Sequence, residues 1–139
     1  MQSKEKFFID LVNKLCSKLK IKKPSIYADK LKAGYVACVQ SCECNHCNNM
    51  ILRYDAKRIK EMDNWELIYI VLHELGHLKT DGETRIEREY KAEKFAHKAI
   101  KKYYPKYYRK VLSYTLKVVD CERGTYRKAY DKVLKEMGI

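Results

Sequence analysis

Two histidines four residues apart, His73 and His77, enclose a glutamate, Glu74, inside a run whose apolar residues recur at helical spacing. Trp65, Ile68, Tyr69, Leu72, Leu75 and Gly76 supply the period, and Asp63 with Glu66 supplies the D-x-x-E form of a capping box ahead of it. The spacing predicts a largely buried helix over about residues 64–79, broken by Thr80, Asp81 and Gly82. At 3.6 residues per turn, positions 73 and 77 share a face, so both imidazoles reach a single zinc ion. Glu74 then stands beside that ion, placed to handle a water without being a ligand. On a helix otherwise lined by Ile68, Val71, Leu72 and Leu75, these polar groups are costly to bury unless a cation satisfies them. A catalytic zinc takes three protein ligands and leaves one position to water. The rest of the chain must therefore bring one more ligand to this face.

The donors follow at once in sequence. Thr84 and Glu87 offer a second capping box, for a helix running toward Tyr104. On it Glu89, Glu93 and His97 are spaced by four and share a face, whereas Glu87 falls off that line. Ala92, Phe95 and Ala96 form a neighbouring apolar side that can pack closely on the first helix. In isolation such glutamates read as a solvated face making i,i+4 pairs. The need of the two histidines for a third ligand reverses that preference. For His97 the reading is a surface position or one behind the ligands, with stabilisation of an oxyanion as the alternative.

Around this pair the pattern predicts an α+β fold. Phe7, Leu11, Leu15 and Leu19, with Phe8 and Val12 beside them, mark an N-terminal helix over 4–20, ended by Pro24. Ile26, Tyr27, Tyr35, Val36 and Val39 read as one or two strands, and residues 50–54 (MILRY) as another, giving a small mixed or antiparallel sheet. Pro105 interrupts the glutamate helix, so two C-terminal helices are expected over roughly 106–118 and 125–137. With 139 residues, the chain fits one domain. The longest apolar run, 67–72, is far short of the ~18 residues that read as a membrane span, and no continuous apolar segment marks a secretory signal at the N-terminus. The expected compartment is the cytosol.

His73-Glu-Leu-Gly-His77 followed by Glu89-Tyr-Lys-Ala92-Glu93 resembles the gluzincin pattern H-E-x-x-H then E-x-x-A-[D/E]. That pattern is used by integral-membrane zinc peptidases and by their small soluble relatives, the minigluzincins; ImmA/IrrE-type peptidases share a related helix pair. The resemblance implies a zinc peptidase with His73, His77 and Glu89 as metal ligands, Glu74 as general base, and Glu93 orienting a ligating histidine from behind. Such orientation is what metal-bound imidazoles require. Glu93 stands where Asp is usual, which leaves an exchange of roles between Glu89 and Glu93 open. The resemblance further implies an exposed sheet edge that binds a peptide substrate as an added strand, for which 50–54 is the expected edge, and a latent form obstructed by residues after about 112.

Two features lie outside the resemblance. Cys38, Cys42, Cys44 and Cys47 fall within ten residues, with His46 among them. This spacing has three readings: a second, structural metal site, disulfides, or free thiols. Cys16 and Cys121 read as small buried apolar residues. The other feature is charge: residues 98–139 carry 12 basic and four acidic side chains, +8 of the net +12. Within it, residues 98–110 interleave six basic residues with Tyr103, Tyr104, Tyr107 and Tyr108. Basic groups with flat aromatics suit a nucleic acid, while tyrosine pairs at helical spacing also serve as packing residues and Lys-rich surfaces also occur in heat-adapted proteins. The expected partners are a peptide or protein substrate, with a nucleic acid or self-association as alternatives. In the nucleic-acid reading the metal site is structural or restricted to one partner protein.

Overall fold

The computed structural model describes residues 3–41, 50–121 and 124–138. Ser3 caps the first helix, α1 (Lys4–Leu19), its hydroxyl accepting from the Lys6 amide at 3.1 Å, and Phe8, Leu11, Val12 and Leu15 form the buried stripe. The helix stops before Pro24 is reached. Lys20 turns into the left-handed region (φ 57°) and the Ile21 amide folds back on the Cys16 carbonyl at 2.9 Å, closing the helix end.

Three short strands follow, β1 (Ser25–Ala28), β2 (Ala37–Ser41) and β3 (Met50–Tyr54), in the order β1-β3-β2. β3 runs parallel to β1 and antiparallel to β2, with Leu52 opposite Ile26 and Val39. Tyr35 and Val36, expected in a strand, lie in the connection between β1 and β2. The expectation that residues 50–54 form the exposed edge is wrong, because β3 is the middle strand. Its near-continuous apolar sequence, with Leu52 and Tyr54 buried, suits a strand flanked on both sides, whereas β1 leaves Tyr27 and Ala28 exposed.

Asp55, buried just past β3, caps a short helix the sequence did not advertise, α2 (Ala56–Ile59), accepting from the Arg58 amide at 3.3 Å. It also accepts from the Leu31 amide at 3.2 Å, while its own amide donates to the Val36 carbonyl at 2.9 Å. These bonds pin the 29–36 connection, and hence Tyr35 and Val36, against the sheet.

The two predicted central helices are α3 (Asn64–Lys79) and α4 (Arg85–Tyr103). The Asp63 amide donates to Glu66 Oε1 at 3.1 Å at the start of α3. At α4, Thr84 Oγ1 accepts from the Glu87 amide at 3.1 Å, while Glu87 Oε2 takes the Glu83 amide at 3.2 Å. A 3-10 turn (Pro105–Tyr107) leads into α5 (Tyr108–Cys121) and α6 (Thr125–Glu136). The chain is thus an α+β fold with a small mixed sheet and a helical C-terminal third. No helix among the described residues is long and apolar enough to cross a membrane.

Leu67, Val71, Leu72 and Leu75 of α3 are fully buried among Phe8, Val12 and Leu15 of α1, Leu52 of β3 and Ile100 of α4. α3 and α4 touch backbone to backbone at one point: a Cβ on Gly76 would stand 2.8 Å from the Ala92 carbonyl oxygen and 2.9 Å from its Cα. A second cluster, Tyr90, Ala129, Tyr130 and Val133, fastens α6 to α4.

Gly76→Ala should cost about 1–3 kcal/mol by forcing the two helices apart. The expected outcome is a lower Tm together with weaker zinc binding, because α4 carries the predicted third ligand. Asp55 has its pKa lowered, chiefly by the Leu31 amide bond, so its stabilisation is present above the ordinary aspartate range and is lost as pH falls through the lowered value. The Tm gap between wild type and Asp55→Ala should be open at neutral pH and close in strong acid.

Candidate metal centre

Helical periodicity and the Gly76 contact together decide which side chains meet. His73 and His77 stand one turn apart on α3, with ring centroids 5.0 Å apart, and Glu89 reaches across from α4. Its Oε2 lies 3.1 Å from His73 Nε2 and its Oε1 3.4 Å from His77 Nε2. One atom from each of the three residues can be chosen so that all lie within 4.8 Å of one another. Ligands at the usual zinc distances in tetrahedral array are about 3.3 Å apart, close to these two separations, which run to the two different oxygens of one carboxylate. Among the described residues this is the sole His, Cys, Asp and Glu grouping of that kind.

Behind the histidines sits Glu93, fully buried. Its Oε2 accepts from the Tyr69 hydroxyl. Its Oε1 faces His73 Nδ1 at 3.5 Å, and neither of these two buried atoms has a hydrogen-bond partner. The two glutamates therefore occupy different sides of the imidazole: Glu89 the Nε2 side shared with His77, Glu93 the Nδ1 side. With a cation on the Nε2 side, this arrangement would let Glu89 ligate and Glu93 hold the ring tautomer.

Electrostatics favour positive charge at this point. Burial alone would lower the His73 pKa, but the contact with Glu89 and the neighbouring carboxylates of Glu93 and Glu74 outweigh it and raise it well above the ordinary histidine value. Burial likewise opposes ionisation of Glu89, yet the two histidines hold its pKa down to about 2. Three carboxyl groups, those of Glu74, Glu89 and Glu93, surround two imidazoles, and a divalent cation with neutral histidines would bring this set the same two positive charges as protonating both rings.

Glu74 faces the same cavity as His73 and His77, one of about 700 Å³. Burial raises its pKa, with the neighbouring histidines pulling the other way, and the Val39 amide of β2 hydrogen-bonds to it. The sheet edge beside α3 is therefore β2. Cys38, also on β2, lines the cavity as a free thiol whose pKa is raised by burial and by Glu74, and it is not part of the metal grouping. Cys42, Cys44 and Cys47, with His46, lie outside the described residues. Cys16 is buried and free.

His97 is fully buried, which overturns the surface reading. Thr115 spends its hydroxyl hydrogen on the Val111 carbonyl at 3.0 Å, so His97 Nε2–H donates to Thr115 Oγ1 at 3.0 Å and Nδ1 accepts from the Tyr108 hydroxyl at 3.2 Å. Burial lowers its pKa, in keeping with this neutral form. It stands 4.0 Å from Glu93, behind the metal residues and away from the cavity lining, where it cannot meet an oxyanion.

Several cavity residues carry no motif. Tyr69 precedes His73 by four residues and so shares its helical face, a signal that periodicity offered. Tyr126 and Tyr130, four apart on α6, form the wall opposite α3, so the segment expected to obstruct the site contributes one side of the cavity. Tyr130 lies 6.2 Å from the His73 ring between centroids. Tyr126 is hydrogen-bonded to Arg85 and Tyr35, and burial followed by the Glu89 charge raises its pKa to about 12.

Comparison with protein-family models, curated proteins and solved structures finds no match to this chain.

Metal analysis should find a zinc that His73→Ala removes; a second zinc that survives the substitution would support a site at the cysteines, and a zinc content unchanged by it would overturn the assignment of His73 as a ligand. Glu93→Gln should keep that zinc but weaken it by about 10–100-fold in a chelator competition, the loss usual for a group orienting a ligand.

Proposed function

We propose that this chain is a zinc-dependent peptidase of gluzincin type, with Glu74 as its general base. The observation that carries the reading is the convergence of His73 Nε2 and His77 Nε2 on one Glu89 carboxylate, with Glu74 lining the same cavity. Zinc bound there supplies a Lewis acid for the scissile carbonyl and lowers the pKa of an attacking water.

The remaining work falls to side chains. Glu93 Oε1 faces Nδ1 of His73 at 3.5 Å, placed to take its N–H, which would aim the Nε2 lone pair at the ligand position. Glu74 takes the proton of the attacking water and returns it to the leaving amine; its burial and raised pKa suit both halves of that task. The β2 edge, already anchored to Glu74 through the Val39 amide, runs beside the cavity and can align an extended peptide. Arg85 and Tyr126, hydrogen-bonded to each other in the cavity wall, are the donors we assign to the developing oxyanion. A cavity of about 700 Å³ accommodates a few residues of substrate.

Glu74→Gln should retain zinc and lose about 10²–10⁴-fold in turnover of a quenched-fluorescence peptide mixture. Zinc retained with turnover unchanged would refute the assignment. Tyr126→Phe should lower kcat more than it alters KM, in the same assay, as removal of a donor to the oxyanion does.

A further inference from the structure

The C-terminal end of α4 has a different chemistry from its N-terminal half. From residue 98 to residue 119 there is no Asp or Glu, while Lys101, Lys102, Lys106, Arg109 and Lys110 are all exposed. No salt bridge among the described residues involves any of them or Lys18, which joins them from α1. The cluster is held in place by rings. Lys18 Nζ lies 4.4 Å and Lys102 Nζ 5.2 Å from the centroid of the same ring, Tyr103. Lys101 sits over Tyr108 at 5.8 Å and Lys106 over Tyr107 at 4.9 Å. Tyr103, Tyr104, Tyr107 and Tyr108 in turn pack against the main core.

Such an array of like charges repels itself, and the ring contacts recover only part of that cost. A partner with closely spaced negative charges would recover the rest by releasing its counterions. We propose that this pole binds the phosphate backbone of double-stranded nucleic acid without reading its sequence. The rings of Tyr103, Tyr107 and Tyr108 are engaged by lysines and pack against the core, so they are poor platforms for stacking bases, which disfavours a single-stranded ligand. An anionic membrane is disfavoured because a surface-bound helix needs apolar side chains to insert, and the exposed large apolar residues, Tyr27, Tyr35, Ile86, Tyr114 and Leu116, lie outside residues 98–110. Twelve residues of helix, about 18 Å, separate Lys101 from Glu89, so the pole is distinct from the metal centre and independent of its assignment.

The test is fluorescence anisotropy of a short labelled duplex DNA with the full chain, between about 50 and 200 mM salt. Binding should weaken with a slope of log K against log salt near −4, as for four to five neutralised phosphates. Lys101→Glu/Lys102→Glu/Lys106→Glu should weaken it at least about tenfold more than Lys30→Glu/Lys57→Glu/Lys60→Glu, which makes the same change in net charge elsewhere, and Glu74→Gln should leave it unchanged. No binding of wild type at low salt, equal loss in the two triple variants, or binding to phosphatidylserine vesicles without binding to the duplex would each overturn the proposal. The slope is read on wild type, so the proposal stays falsifiable even if a triple variant fails to fold.

Discussion

Everything at the candidate metal centre depends on how closely α3 and α4 approach. Glutamate reaches only a few ångströms from its backbone, and Glu89 must cross from one helix to two imidazoles on the other. Gly76 permits that approach by presenting no side chain to Ala92, and Ala92 and Ala96 keep the facing side of α4 flat. Both glycine and alanine lie inside the spacing that carries the histidines and glutamates. Packing and ligand placement are therefore one constraint in this chain: a larger residue at position 76 disturbs both together.

The second constraint is charge. Burying Glu74, Glu89 and Glu93 around two histidines would be unfavourable in a chain with nothing to offset it. Here the offset is distributed: Tyr69 satisfies one oxygen of Glu93, the histidines satisfy Glu89, and the Val39 amide meets Glu74. What remains unsatisfied is the facing pair His73 Nδ1 and Glu93 Oε1. That pair is also the one whose tightening fixes the tautomer with Nε2 free to ligate. Of the three buried side-chain polar atoms without a partner among the described residues, two are this pair, directly behind the Nε2 that faces Glu89.

The helix pair was legible in the sequence because its determinants are local. Caps at Asp63 and Thr84 and a four-residue repeat of donors all act within one helix, and a periodic pattern reports them directly. The sheet was less legible. Strand order is decided by which segment inserts between two others, a long-range choice that residues 50–54 register only as an unbroken apolar run; reading that run as an edge missed its meaning. His97 illustrates the same limit at one residue. Its place in the repeat was plain, but its burial is decided by Tyr108 and Thr115, which come from a helix eleven to eighteen residues further on. The cavity wall from Tyr126 and Tyr130 is likewise set by the packing of α6 on Tyr90, which no motif marks.

α4 joins the two charged regions of the molecule and explains why they do not cancel. Its acids, Glu87, Glu89 and Glu93, occupy the first half, near the positive end of the helix dipole, and Lys98, Lys101 and Lys102 occupy the last turns, near the negative end. The segregation stabilises the helix, and it also keeps the lysines too far along the axis to pair with the carboxylates. The first half is itself mixed, with Arg85, Arg88, Lys91 and Lys94 standing among the three acids and Lys91 pairing with Glu87 at 3.2 Å, whereas Lys101 and Lys102 have no acid three or four residues away on the helix. The asymmetry in net charge along the sequence thus begins in the last turns of α4 and continues past that helix, through Lys106, Arg109 and Lys110.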